Sequence, residues 1–286
     1  MRADFNDYKF RCSSVGKLFY ESTGKSNLQK YEDAKTVLEQ LKAEYEAIPD
    51  EKKQMKSSQN KAEKIAKLAA ELIVLEQNKD VETLSQTAKS YLITVFIEEF
   101  YERRYPTDNK YFEKGTIQEE DAITLLQQTQ DFGAIILEKN KQLFENDYIK
   151  GTPDIKLKRL IIDTKCVWDL KCLFAKDEDI TKEIYYQLQC YGLLTGINDL
   201  QVSFCLVDTP KHIIQQEIKK AAYNNPFKPF DEIEKEMYHL HTFGDIDPKN
   251  KVKSYQFELL PDFEMKMQRK VIAARKFLNK LAEKHK

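Results

Sequence analysis

The chain has 286 residues, 41% hydrophobic and 33% charged, which gives room for one large domain or a domain with a sizeable insertion. That balance excludes a disordered chain, and no apolar run approaches the roughly 18–20 residues needed to span a bilayer. The formal net charge of −1 excludes a bulk basic signal, so any grip on nucleic acid must come from a local patch.

The opening MRADFNDYKF lacks the apolar core of a secretion signal, so a cytoplasmic protein without membrane partners is expected. Cys12, Cys166, Cys172, Cys190 and Cys205 are scattered and form no CxxC pair. Buried thiols are expected, rather than a disulfide framework or a zinc ribbon.

After a short RCSSVGKLF segment, residues 27–48 place Leu28, Tyr31, Ala34, Leu38, Leu41 and Tyr45 at spacings of three and four. Pro49 and Asp50 end that helix, and a second helical pattern covers 59–78. Residues 27–78 therefore read as an inserted antiparallel helical hairpin rich in Lys and Glu. It is either a solvated structural insertion or a contact for DNA or a partner. A further helix covers about 81–104.

From residue 111 the pattern changes. A helix starting near Gly115 carries QEEDAITLLQQ, and short β-like runs follow as NDYIKGTPDI, a KLKR turn and LIIDTKCVW. A helix at 181–196 is stopped by Gly196. QVSFCLVDT at 201–209 is a strand, PKHIIQQEIKKAAY a helix with Pro in its first turn, and VKSYQFELL a strand. An amphipathic C-terminal helix at 261–285 closes the chain. The sum is an α/β (α+β) fold: one domain over 1–286 with a mixed central sheet flanked by helices.

The hairpin of 148–155 and 160–167 carries the chemistry. With KLKR as the turn, residue 155 faces 160, 154 faces 161 and 152 faces 163. Side chains alternate along a strand, so Asp163 and Lys165 share one face and Ile162 and Thr164 the other. Asp154 then lies diagonally across from Asp163, with Cβ atoms about 7–8 Å apart. Two converging carboxylates repel unless a cation offsets them, and Mg²⁺ suits one or two carboxylates plus water and phosphate oxygens. A lysine beside them can orient water and neutralise developing charge, a combination suited to phosphodiester hydrolysis. The plain alternative is a hairpin with ordinary exposed charges, but Asp163 and Lys165 interrupt an apolar run that reads as a central strand.

GTPD at 151–154 followed by IIDTK at 161–165 resembles the PD-(D/E)xK nuclease superfamily. GTIQEEDA at 115–122, YYQLQCYGLLTG at 185–196 and RCSSVGKL near the start are similar to segments of its phage recombination exonucleases (lambda-exonuclease or YqaJ type). The resemblance implies a restriction-endonuclease-like core. It also implies Asp154, Asp163, Glu119 and the main-chain carbonyl of Thr164 around Mg²⁺, which Mn²⁺ could replace. Lys165 would orient or activate water, and Gln187 would fix the lysine or that water. Arg11 and Ser14 would meet the DNA end. Glu120 beside Glu119 leaves that assignment open to a slip of one. Asp163 stands where this branch often has Glu, and its shorter reach leaves room for more water around a metal.

The resemblance further implies double-stranded DNA ends as substrate, a single-strand annealing protein as a candidate partner, and an oligomer as an option. The setting would be the cytoplasm of a phage-infected bacterium. No cysteine follows Cys205, so no iron–sulfur cluster is expected. The rival activities are a structure- or sequence-specific endonuclease and a catalytically silent DNA-binding or assembly module of the same fold.

Overall fold

The computed structural model describes residues 2–106, 109–177 and 180–285. Its elements, in chain order, begin with strand β1 (Phe10–Arg11) and helices α1 (Cys12–Val15), α2 (Asn27–Glu46), α3 (Lys56–Asn78) and α4 (Gln86–Phe100). Helices α5 (Lys110–Ile117) and α6 (Glu119–Thr129) follow, then strands β2 (Phe144–Glu145), β3 (Ile149–Gly151), β4 (Ile155–Lys156) and β5 (Leu160–Cys166). The chain continues through α7 (Leu170–Phe174), α8 (Lys182–Thr195), β6 (Asp199–Cys205), α9 (Lys211–Asn224), α10 (Phe230–His241), β7 (Val252–Glu258) and α11 (Phe263–His285).

By internal packing the chain divides into two compact units. The first comprises Met1–Asn6, Leu18–Glu102 and Met265–Lys286. It holds the hairpin of α2 and α3. Ser26 starts α2 with a reciprocal cap: its hydroxyl accepts from Gln29 N–H, and the Gln29 side chain accepts from Ser26 N–H. Along both helices only Leu38 and Ser58 are buried, so the hairpin is a solvated projection with little core of its own. The core of this unit lies elsewhere, with Leu92, Val95 and Phe96 of α4 and Val271, Ala274 and Leu278 of α11. The helix expected over 81–104 is shorter because the Ser85 hydroxyl caps α4, accepting from Ala88 N–H.

The second unit comprises Asp7–Lys17 and Arg103–Glu264. Its strands form two mixed sheets where the sequence suggests one, in the orders β1-β3-β2 and β4-β5-β6-β7. The cause is local. Pro153 has no N–H to give a ladder, and the run 148–155 breaks there into β3 and β4. β5 runs parallel to β6, joined through α7 and α8, while β7 closes the sheet antiparallel to β6.

Helix α6 covers one face of the second sheet, where Ala122, Ile123 and Leu126 pack with Ile155 and Ile162. Helix α8 packs against β5 and β6. Two glycines let the backbone press close to it. A Cβ on Gly151 of β3 would lie 2.7 Å from Cys12 Sγ and 2.7 Å from Tyr191 Cε1. One on Gly16 would lie 2.6 Å from Glu183 Cα.

The helix expected near Gly115 is two helices meeting at Gln118 (φ −97°, ψ 14°), which frees Glu119 to begin a new helix. Helix α10 is not anticipated from the sequence. Its stretch FDEIEKEMYHLH is mostly polar, and a small cluster of Ile233 with Ile214 and Ile218 of α9 settles it.

Candidate active site

The β4–β5 turn sets the geometry. Leu157 N–H donates to Leu160 O at 2.9 Å, so the loop is Lys158–Arg159 alone and not KLKR. Ile155 consequently pairs with Ile162 and Lys156 with Ile161, a register two residues from the one expected. A slip of two keeps every side chain on its face. Continued by one residue, this register sets Asp154 directly opposite Asp163 rather than diagonal to it.

β4 ends before it can bond Thr164, and Asp154 takes the vacant place. Its Oδ2 accepts from Thr164 N–H at 2.7 Å and from Thr164 Oγ1 at 3.0 Å. The N–H and C=O of one strand residue leave by the same edge, so the Thr164 carbonyl projects toward this side as well.

Asp163 is fully buried. Its Oδ1 accepts from Gln187 Nε2 at 3.1 Å, and its Oδ2 lies 2.8 Å from Lys165 Nζ. The second contact is an ion pair without good hydrogen-bond alignment, so Oδ2 has no true donor. Gln187 also donates to the Tyr191 hydroxyl at 3.0 Å. Both of its amide hydrogens are thus spent on Asp163 and Tyr191.

Burial, then the neighbouring Asp163 carboxylate, push Asp154 up to about 7, against the opposing pull of Lys165 and the Thr164 N–H. For Lys165 burial works against the charge, yet Asp163 and Asp154 outweigh it and hold the ammonium above the usual lysine value.

Glu119, at the start of α6, forms an ion pair with Lys139 at 2.8 Å. It also adds negative field at both Asp154 and Lys165. Lys139 is a site cation that the sequence reading missed, since its stretch, LEKNKQ, shows no period and matches no motif. Lys114, also unanticipated, is buried elsewhere among Trp168, Asp208 and Asp169; its Nζ donates to Trp168 O at 3.1 Å, and burial lowers it to about 8.

Asp154, Asp163, Thr164, Lys165, Gln187 and Glu119 are thus brought together at the open edge of β5. Arg11 ends β1 opposite Lys150, and Ser14 lies on α1, whose Cys12 and Val15 are buried where α1 packs on α8.

A metal would fit this centre through oxygen. Among the described residues no three His, Cys, Asp or Glu side chains converge closely enough to hold an ion by themselves. The buried Asp163 Oδ2 nevertheless has only the poorly aligned Lys165 ammonium, and Asp154 and the Thr164 carbonyl stand beside it. Two carboxylates, a carbonyl and water make a hard-oxygen set of the kind Mg²⁺ takes.

No protein-family model and no curated protein matches the sequence. Among solved structures, a phage related exonuclease from Haemophilus somnus 129PT matches with a TM-score of 0.61 at 24% identity, over 98% of this chain and 97% of that one. The two share a fold. An alkaline exonuclease from Laribacter hongkongensis matches at 12% identity and TM-score 0.48, over 71% of this chain and 86% of that one. Its complex with dAMP gives 12% and 0.44, over 70% and 83%. Among the described residues no helix is long and apolar enough to cross a membrane.

Proposed function

We propose that the chain is a metal-dependent DNA nuclease, and specifically an exonuclease acting on duplex ends. The observation that carries the reading is the buried Asp163 carboxylate, its Oδ1 held by Gln187 and its Oδ2 ion-paired with Lys165 without an aligned hydrogen bond, with Asp154 beside it. The fold shared with a phage related exonuclease supports it.

Asp154, Asp163 and the Thr164 carbonyl would hold Mg²⁺ or Mn²⁺, with Glu119 reaching it directly or through water. When bound, the ion would polarise the scissile phosphate and lower the pKa of a water. The remaining work falls to side chains. Lys165 lies 2.8 Å from Asp163, beside the place the ion would take. Its role is to orient the water and to offset the charge that gathers on the phosphate oxygens. Gln187 holds Asp163 in one rotamer, so that Oδ2 keeps its aim.

Arg11 and Ser14 would receive the terminal phosphate, which is what favours an exonuclease over an endonuclease. The deciding experiment is digestion of end-labelled linear duplex and covalently closed circular duplex with Mg²⁺, and with excess chelator. Linear DNA should be degraded, circular DNA spared, and the chelator should stop the reaction. Equal digestion of both topologies leaves an endonuclease. Cleavage of neither overturns the nuclease reading.

A further inference from the structure

A groove of about 790 Å³ opens beside the candidate centre, lined by Lys139, Asn140, Lys141 and Lys156 together with Glu120 and Glu138. One wall is a fixed rail. Leu137 N–H donates to Gln127 Oε1 at 2.6 Å, which ties the rail to α6. Asn140 N–H donates to Asp154 O at 2.7 Å, and Asn140 Nδ2 to Pro153 O at 3.0 Å. The rail is therefore bonded to the backbone of the residue that carries the candidate metal-site carboxylate.

The charges around the groove differ in state. Lys139 is engaged with Glu119. Lys141 and Lys156 are exposed, and among the described residues neither has a carboxylate partner; the Lys156 ammonium lies 5.9 Å over the Phe144 ring. Neither Glu120 nor Glu138 pairs with them. Solvated lysines without partners, lining a groove whose Asn140 is bonded to the backbone of Asp154 and Pro153, are suited to binding anionic backbone.

We propose that Lys141 and Lys156 bind backbone phosphates of the DNA strand as it passes the cleavage centre on its Glu119 side. The inference rests on the nuclease reading and adds the path of the substrate. The contact is with phosphate alone, so it sets grip and register without reading sequence.

The test is fluorescence anisotropy of a fluorescein-labelled linear DNA duplex, with Ca²⁺ in place of Mg²⁺ to prevent turnover, over a series of salt concentrations. The variants are the double substitution Lys141→Ala with Lys156→Ala and, as a control for bulk charge, Lys64→Ala with Lys67→Ala on exposed positions of α3. For the groove variant, the slope of log affinity against log salt should become shallower by about two, with affinity at low salt reduced roughly tenfold or more. The control should keep the wild-type slope. An unchanged slope in the groove variant, or an equal drop in the control, overturns the proposal while wild-type binding stands. Absence of wild-type binding at every salt concentration overturns the nuclease reading itself.

Discussion

Gln187 and Asp163 are joined through the amide nitrogen to Oδ1 at 3.1 Å, and the same nitrogen reaches the Tyr191 hydroxyl at 3.0 Å. With both amide hydrogens committed, Gln187 cannot turn, and Asp163 presents Oδ2 in one direction. Gln187→Ala should lower stability by about 1.5–3 kcal/mol, because a buried hydrogen bond to a charged group is lost. It should also weaken Ca²⁺ binding by roughly ten- to a hundredfold, the usual effect of losing a residue that orients a ligand. Urea unfolding and calorimetric titration measure the two effects. Unaltered Ca²⁺ affinity would show that Asp163 is aimed by something else.

Asp154 predicts how metal-free stability depends on pH. Its folded value of about 7 exceeds the ordinary 3.8, so between these values the folded chain keeps a proton that the unfolded chain has released. Stability from this group is therefore present at about pH 4 and lost as pH rises to about 7. Asp154→Asn, which can still accept from Thr164, should remove that loss and be the more stable protein at pH 8. The difference is a few kcal/mol at most, at about 1.4 kcal/mol per pKa unit. Parallel unfolding curves at pH 5 and pH 8 in chelator check it, and equal pH slopes for both proteins would refute it. Asp163 is the wrong carboxylate for this experiment, since its removal strands the Lys165 ammonium.

Asp163→Asn and Lys165→Ala should each reduce cleavage by roughly a hundred- to a thousandfold or more while the far-ultraviolet dichroism stays that of the wild type. Single-turnover digestion with Mg²⁺ is the assay. A folded variant cleaving at the wild-type rate would move the chemistry away from β5.

Arg11→Ala addresses the end of the substrate. Loss of one charged hydrogen bond costs about 1.5–3 kcal/mol, or roughly ten- to a hundredfold in rate if the contact acts in the transition state. The slowing should appear on 5′-phosphorylated duplex and vanish on duplex lacking that phosphate. The same slowing on both substrates would assign Arg11 a purely structural part.

Gly151→Ala should destabilise by about 1–3 kcal/mol, since its methyl would enter space held by Cys12 and Tyr191. Chemical denaturation reads the change, and an unshifted midpoint would mean that β3 can retreat from α8 freely.

Much of the site was legible because strand alternation has a period of two. The sequence placed the turn wrongly by a residue pair, yet Asp154, Asp163 and Lys165 still converge, because an even slip preserves faces. Gln187 was found through its motif, but its partner was not, since a side-chain amide can bond a lysine, a water or a carboxylate equally well. Lys139 left no trace, as it comes from an irregular segment held by tertiary hydrogen bonds. Helix α10 escaped for a related reason, being defined by its packing on α9 rather than by an apolar run of its own. The second sheet was hidden in plain view at Pro153, whose missing N–H divides one apparent strand into two.

Residues Gln187–Gly192 of α8 are buried without interruption, more than one full helical turn with no side facing water. Amides inside such a turn cannot trade hydrogen with solvent through local fraying. They wait for the surrounding unit to open as a whole, which places them at the slow end of the exchange spectrum. The orientation of Gln187, and with it the aim of Asp163, is thus as durable as the unit that encloses it. Warming or mild denaturant should leave the geometry of the candidate site unchanged until it disappears together with the fold.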